Sequence, residues 1–335
     1  MKNVLINVAI HPEGLQRLNT IPGITIRIAN PLQEPSTLPE EVLKTHVLFC
    51  DVPPPYFSQM NSLELVQIAA VGYERFYDLS LAEKKLRACN SRGVFDVAIA
   101  EWNIAMVVNL ARDLRAMIRN QESGTWDRAA RFQREIRGSV VGIWGYGGIG
   151  RETARLAKAL GLIVYVLSRH GVSPRLNTYR VPATGDPEGV LPDQIFTAGQ
   201  EADFLSRLDF LVLSLPKTKS TIGIVGDKEL RALPQTAFVL NPARGPLIQE
   251  SALLTALREG WIAGAALDTH YHYPMPQDHP LWRFPNVIMT PHISGSTLMQ
   301  HHGERMWEVF VENVRRYTSG EPLLNELSPS ELRGD

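Results

Sequence analysis

Cysteine is nearly absent: Cys50 and Cys89 are the only two in 335 residues, and neither stands in a C-x-x-C or other metal-ligand spacing. That excludes a disulfide scaffold and suits a reducing compartment, so a cytoplasmic protein is expected. Net charge is equally scarce. The 34 basic and 35 acidic residues leave a formal charge of -1, which gives no electrostatic reason to expect nucleic acid or an anionic membrane as a partner. No apolar run approaches the roughly 20 residues that would span a bilayer. The apolar start of MKNVLINVAIHPEG is cut off by His11, Pro12 and Glu13 with no small-residue cleavage site after it, and it reads as a first strand. Small-molecule chemistry remains, in a chain long enough for two domains.

Short apolar runs alternate with amphipathic segments, which argues for an α/β fold with parallel sheets. The early strands are expected at Val4 to Ile10, Ile24 to Ala29, His46 to Asp51 and Leu65 to Val71. From Val97 to Arg119 the pattern predicts one long helix, apolar over most of its circumference at first, suited to a buried connection between domains. Later strands are expected at Val140 to Trp144, Phe210 to Leu215, Ala237 to Asn241, Ile262 to Leu267 and Val287 to Thr290. Helices are expected near Lys228 to Leu233, Ser251 to Glu259 and Thr297 to Thr318, the last long enough to rejoin the first domain. Residues 171–203, rich in proline, glycine and threonine, read as an irregular excursion.

GYGGIG places Gly145, Gly147 and Gly150 in the G-x-G-x-x-G pattern between an apolar strand and the helix former run ETARLAKAL. In that context the first glycine permits the tight turn, the second lets backbone N–H groups approach a pyrophosphate, and the third lets helix pack on strand. The acid that would accept ribose hydroxyls of NAD is missing at the end of the next strand, where Ser168, Arg169 and His170 stand. A small hydroxyl and a guanidinium suit a 2′-phosphate, so NADP is expected. NAD stays open if Ser168 bonds its ribose while Arg169 points to water.

Further stretches follow in order: AVGYERFYDL, VAIAEW, LSLPKTKST, VLNPARGPLIQESALLTAL, GAALD and TPHISGS. With the glycine turn, they resemble the D-isomer-specific 2-hydroxyacid dehydrogenase family over nearly the whole chain. The resemblance implies two Rossmann-like domains with parallel sheets. A cofactor domain (101–293) is inserted into a discontinuous catalytic domain (1–100 and 294–335), with the active site in the cleft and a homodimer joined through the cofactor domains. It implies hydride transfer between NAD(P)(H) and a 2-oxo or 2-hydroxy acid, with glyoxylate and hydroxypyruvate as first trials. Arg244 would bind the substrate carboxylate and carbonyl oxygen, and His292 would donate the proton. Val71 and Gly72 would belong to the substrate site, Gly72 through backbone N–H. Gly148, Ile149, Ser168, Leu215, Pro216, Pro242, Ala243, Asp268 and Gly295 would join the cofactor site.

The chemistry asks for such groups independently. An alkoxide formed by hydride delivery needs a proton from an acid that titrates near neutrality, and a planar 2-oxo acid suits a two-pronged guanidinium. The departure is at LDTHYHYP, where Tyr273 replaces the glutamate that in the family bonds the catalytic histidine and raises its pKa. His270 or His272 taking that place after a local shift stays open. QDHPLW and PHISG are similar to formate dehydrogenases, so formate oxidation is one alternative, and an NADP(H)-sensing binding protein with little turnover is another. His270, His272 and His279 make three metal ligands conceivable if the segment is extended. The hydride chemistry needs no metal, and none is expected.

Overall fold

The apolar runs are strands, and every strand pairing within the two sheets is parallel. The computed structural model describes residues 1–29, 40–129, 133–295, 298–299 and 301–335. They divide into two units, Met1–Phe95 with Leu176–Val181 and Thr297–Asp335, and Asp96–Arg175 with Pro182–Ser296. The short stretch 176–181, within the expected excursion, therefore counts with the first unit.

The first unit opens with β1 (Lys2–Asn7), α1 (Pro12–Asn19), β2 (Ile24–Ile28), α2 (Glu40–Leu43), β3 (Val47–Cys50), β4 (Leu65–Ile68) and β5 (Arg87–Cys89). The second unit begins with α3 (Asp96–Ala111), α4 (Leu114–Glu122), β6 (Val140–Trp144), α5 (Gly148–Ala159), β7 (Ile163–Leu167), β8 (Gln194–Phe196) and α6 (Glu201–Leu205). It continues through β9 (Phe210–Leu213), α7 (Asp227–Ala232), β10 (Phe238–Asn241), α8 (Glu250–Glu259), β11 (Gly264–Leu267) and β12 (Val287–Met289). α9 (His302–Ser319) and α10 (Pro329–Arg333) belong to the first unit. The sheets run β2-β1-β3-β4-β5 and β12-β11-β10-β9-β6-β7-β8.

Alternation along the larger sheet shows why it is buried on both sides. Val141, Ile143, Phe210, Val212 and Leu240 join one core with Val107 and Leu110 of α3 and Ala154 and Ala157 of α5. Trp144, Leu211, Leu213 and Val239 face the opposite way, toward Phe204, Leu230, Leu253 and Ala256 of the helices α6 to α8. Successive residues of a strand point to opposite faces, so a continuous apolar run is what a doubly covered sheet requires.

Three expectations need correction. The helix expected over Val97 to Arg119 is two helices, broken at Asp113 with φ +46°. Aspartate tolerates this left-handed conformation better than most residues, which makes the break affordable there. The excursion ends earlier than residue 203, because β8 and α6 form within it. β5 and β8, three residues each, were too short to register as strands. The start expected for the last helix, Thr297, lies outside the described residues; the helix itself spans His302–Ser319. Among the described residues no helix is long and apolar enough to cross a membrane.

Candidate active site

The sequence-predicted cofactor residues collect in loops at the carboxyl edge of the seven-stranded sheet. Gly145 follows β6, Ser168 follows β7, Leu215 and Pro216 lie beyond β9, Pro242 and Ala243 follow β10, Asp268 follows β11, and Gly295 lies beyond β12. The strand order reverses direction between β6 and β9. Open α/β sheets bind ligands outside the carboxyl ends at such a switch point.

The glycine turn fits a dinucleotide by its space as well as its spelling. Gly145 has φ +98°, and a Cβ there would collide with the Ser214 carbonyl. A Cβ on Gly150 would come within 2.5 Å of the Gly145 carbonyl, whereas one on Gly147 would meet nothing within 4 Å. Gly150 is thus used for packing, while Gly147, the N-cap of α5, leaves the helix N-terminus open to an anion. Gly148 and Ile149 follow on the first turn of α5, and Gly148 packs on the Asp96 carboxylate. Ser168 is half-buried, and Arg169 and His170 are exposed.

His292 stands in a turn built on one buried carboxylate. Its φ is +58°, a left-handed conformation that costs a residue with a side chain about 1–3 kcal/mol. Asp268, fully buried, holds the turn in place. Its Oδ1 accepts from the Thr290 hydroxyl at 2.6 Å and Ile293 N–H at 2.8 Å, and its Oδ2 from Ser294 N–H at 3.0 Å and the Ser294 hydroxyl at 2.5 Å. The Asp268 carbonyl accepts His292 N–H at 2.8 Å. Thr290 and Ser294, which sequence reasoning missed, are the donors; their only signal was their place on either side of PHI.

Tyr273 and His292 are brought together. The tyrosine oxygen accepts the His270 backbone N–H at 3.2 Å and lies 3.1 Å from Nδ1 of His292. A phenol can donate to Nδ1 or accept from Nδ1–H, whereas a carboxylate only accepts. Donation leaves the proton of a neutral imidazole on Nε2, the nitrogen facing away from the tyrosine.

Arg244 lies on a turn strapped by Asn241, another residue not singled out from sequence. Asn241 Oδ1 accepts Ala243 N–H at 3.1 Å and its Nδ2 donates to the Arg244 carbonyl at 2.9 Å, a local Asx pattern at a strand end. The guanidinium Nη1 donates to the Ala243 carbonyl at 2.7 Å. Beyond β9, the Thr221 hydroxyl donates to the Pro216 carbonyl at 2.7 Å and fixes the loop of Leu215 and Pro216. In the first unit, Val71 and Gly72 follow β4, and Asn90 Nδ2 donates to the Val71 carbonyl at 2.7 Å.

The three histidines do not share a face. The chain bends after Leu267 and is not extended through residue 272, so His270 is buried and His272 exposed. The His270 Nε2 lies 2.8 Å from the Thr290 carbonyl, which can only accept, so the ring carries a proton on Nε2; its buried Nδ1 has no partner among the described residues. His279 Nε2 lies 2.6 Å from Glu250 Oε1, with Leu281 N–H donating to its Nδ1. Among the described residues no group of three or more His, Cys, Asp or Glu is placed to hold a metal ion.

Fold and site together define a dinucleotide-binding α/β protein, and comparisons with known proteins narrow the class. Residues 104–294 match the model of the D-isomer specific 2-hydroxyacid dehydrogenase, NAD binding domain. The chain is 29% identical over 266 residues to a glyoxylate reductase of Thermofilum pendens, covering 78% of this chain and 73% of the relative. It is 30% identical over 272 residues to a glyoxylate reductase of Korarchaeum cryptofilum, covering 79% and 76%. A crystal structure of a D-isomer specific 2-hydroxyacid dehydrogenase from Xanthobacter autotrophicus Py2, in complex with NADPH and MES, matches with a TM-score of 0.79. It is 27% identical over 99% of both chains. The chain belongs to the D-isomer specific 2-hydroxyacid dehydrogenase family, and is an NAD(P)-dependent oxidoreductase.

Proposed function

We propose that the protein is an NADPH-preferring reductase of small 2-oxo acids, able to run in reverse on 2-hydroxy acids. The observation that carries this reading is the His292 turn: an imidazole held at the carboxyl edge of a dinucleotide-type sheet, with one nitrogen engaged by Tyr273. The second unit is read as the dinucleotide-binding domain and the first as the substrate domain, contributing Val71 and Gly72. Gly145, Gly147, Gly148, Ile149, Ser168, Arg169, Leu215, Pro216, Pro242, Ala243 and Gly295 would hold the cofactor, which supplies the hydride; Asp268 and Gly150, also expected there, instead shape the turns from within, being spent on the His292 turn and on packing. Ser168 and Arg169, standing where a carboxylate would repel a 2′-phosphate, support NADP over NAD. The relatives named glyoxylate reductase support glyoxylate and its close analogue hydroxypyruvate as substrates.

The remaining work falls to side chains of this chain. Arg244 grips the carboxylate and carbonyl oxygen of the 2-oxo acid and stabilises the charge that develops on that oxygen. His292 gives that oxygen a proton from Nε2. Tyr273 serves the ring on both sides of the transfer: it accepts from Nδ1–H of the imidazolium, and it still accepts from Nδ1–H of the neutral ring left when Nε2 has given its proton. Fluorescence titration with NADPH and NADH, then turnover of glyoxylate and hydroxypyruvate, tests the reading. Failure to bind either cofactor overturns it, and binding without turnover favours an NADP(H) sensor instead.

Replacing Tyr273 with glutamate is expected to raise the pH at which reduction falls off by about one unit, because an adjacent carboxylate favours the imidazolium. The sign is fixed by the chemistry: the protonated donor persists to higher pH, so the alkaline limb moves upward. Superimposable pH profiles of kcat for wild type and Tyr273→Glu would show that Tyr273 does not govern the donor.

A homodimer through the second unit is also proposed. α4 buries none of its residues and exposes Leu114 and Ile118, with Trp126 beyond it and Trp282 beside it on the same unit. An apolar surface of this kind is expected to be covered by a second copy. Ile118→Glu is expected to weaken the dimer about 100-fold or more, the scale of burying an unpaired charge. Sedimentation of the two proteins across a concentration series checks it, and an unchanged oligomeric state would place the interface elsewhere.

A further inference from the structure

After β7 the chain has no regular element until β8, and side chains bind parts of the intervening stretch alongside a few backbone hydrogen bonds. The posts come from the glycine turn. Tyr146, between Gly145 and Gly147, is buried, and its hydroxyl donates to Asp186 Oδ2 at 2.7 Å. Asp186 Oδ1 accepts from Gly189 and Val190 N–H at 3.1 and 3.0 Å, and Oδ2 from Leu191 N–H at 3.0 Å. Arg151, next after Gly150 and also buried, donates to three carbonyls: Tyr146 at 3.2 Å, Ser173 at 2.6 Å, and Asp186. Its guanidinium lies 4.9 Å from the Tyr146 ring centre. Arg175 N–H donates to the Pro187 carbonyl at 2.9 Å, closing the segment on itself.

The phosphate-binding turn and the loop that begins at Ser168 are therefore one hydrogen-bonded assembly. Among the described residues the Tyr146 hydroxyl bonds Asp186 of the loop and no group of the turn itself. Burial raises the Tyr146 pKa, with the Asp186 carboxylate adding to the effect, so the hydroxyl keeps the proton that makes this bond. Burial lowers the Arg151 pKa from an ordinary value so high that the guanidinium remains a cation at neutral pH.

We infer that Tyr146, Arg151 and Asp186 are positioning residues that set the loop of Ser168, Arg169 and His170 against the 2′-phosphate of NADP, so that selectivity between NADPH and NADH depends on a hydroxyl inside the glycine turn. This role rests on the NADP reading above. NADH lacks the 2′-phosphate, so displacement of the loop is felt by one cofactor and not the other.

The test is Tyr146→Phe, which removes one hydroxyl and leaves Leu191 N–H on the same Asp186 oxygen. It is measured alone and in an Arg169→Ala background, with thermal melting as a check on folding. The expected result is a rise in the KM for NADPH of about tenfold, the size of one hydrogen bond to a charged group. kcat at saturating NADPH and both constants for NADH stay within about twofold, and Tyr146→Phe has no further effect once Arg169 is alanine. Parallel losses for both cofactors, no change in their ratio, or the same factor in the Arg169→Ala background would overturn the positioning role alone. A wild type indifferent to the two cofactors, or an Arg169→Ala variant with unaltered preference, would overturn the NADP reading and this role with it.

Discussion

Replacing His292 with asparagine is expected to lower kcat for 2-oxo acid reduction by about 10²–10⁴, the range for loss of a positioned general acid. Asparagine is the right replacement because His292 has φ +58°, a conformation asparagine accepts readily, so the turn on Asp268 survives. Its side chain still reaches toward Tyr273 but has no group that titrates near neutrality. The dissociation constant for NADPH, read by fluorescence, is expected to stay the same. A kcat within tenfold of wild type, with NADPH still bound, would remove His292 from the proton transfer and leave the proposed mechanism without its acid.

Arg244→Lys is expected to reduce kcat/KM for glyoxylate by about 10²–10³, equal to roughly 2.7–4 kcal/mol of lost transition-state stabilisation. The charge is kept, so the loss measures geometry. A guanidinium presents parallel N–H groups to a planar 2-oxo acid, and an ammonium presents a single point of charge. The Asn241 strap holds the Arg244 backbone and is untouched by the substitution. Because the interaction strengthens as charge builds on the oxygen, kcat should fall along with the rise in KM. A change confined to KM would mean that Arg244 only binds substrate, and no change would place carboxylate recognition elsewhere.

The strands of the larger sheet were legible because a sheet covered on both faces needs unbroken apolar runs, and Val140–Trp144 and Phe210–Leu213 are such runs. The glycine turn was legible because its glycines stand together between a strand and a helix, although only Gly150 is required by a near neighbour, the Gly145 carbonyl; Gly145 is required by the distant Ser214 carbonyl. β8, the sequence QIF, was not, since three residues carry no period. The break at Asp113 was hidden because apolar positions continue on both sides of it. The three-histidine arrangement, conceivable only if the segment were extended and set aside on chemical grounds, also lacks its geometry, because the chain bends after Leu267. Least legible was Asp268. Its partners Thr290, Ile293 and Ser294 lie more than 20 residues further along, and no local pattern links an acid to donors at that distance.

With Asp268 beneath it, the segment 290–294 is tied to a buried carboxylate through Thr290, Ile293 and Ser294 while His292 is exposed. The conformational entropy of the imidazole's backbone is lost when the chain folds, before any substrate is present. On the mechanism proposed above, substrate binding then does not have to assemble the proton donor, and little of its free energy is diverted to ordering that turn. In that mechanism the left-handed backbone at His292 is the cost of having the donor ready beforehand.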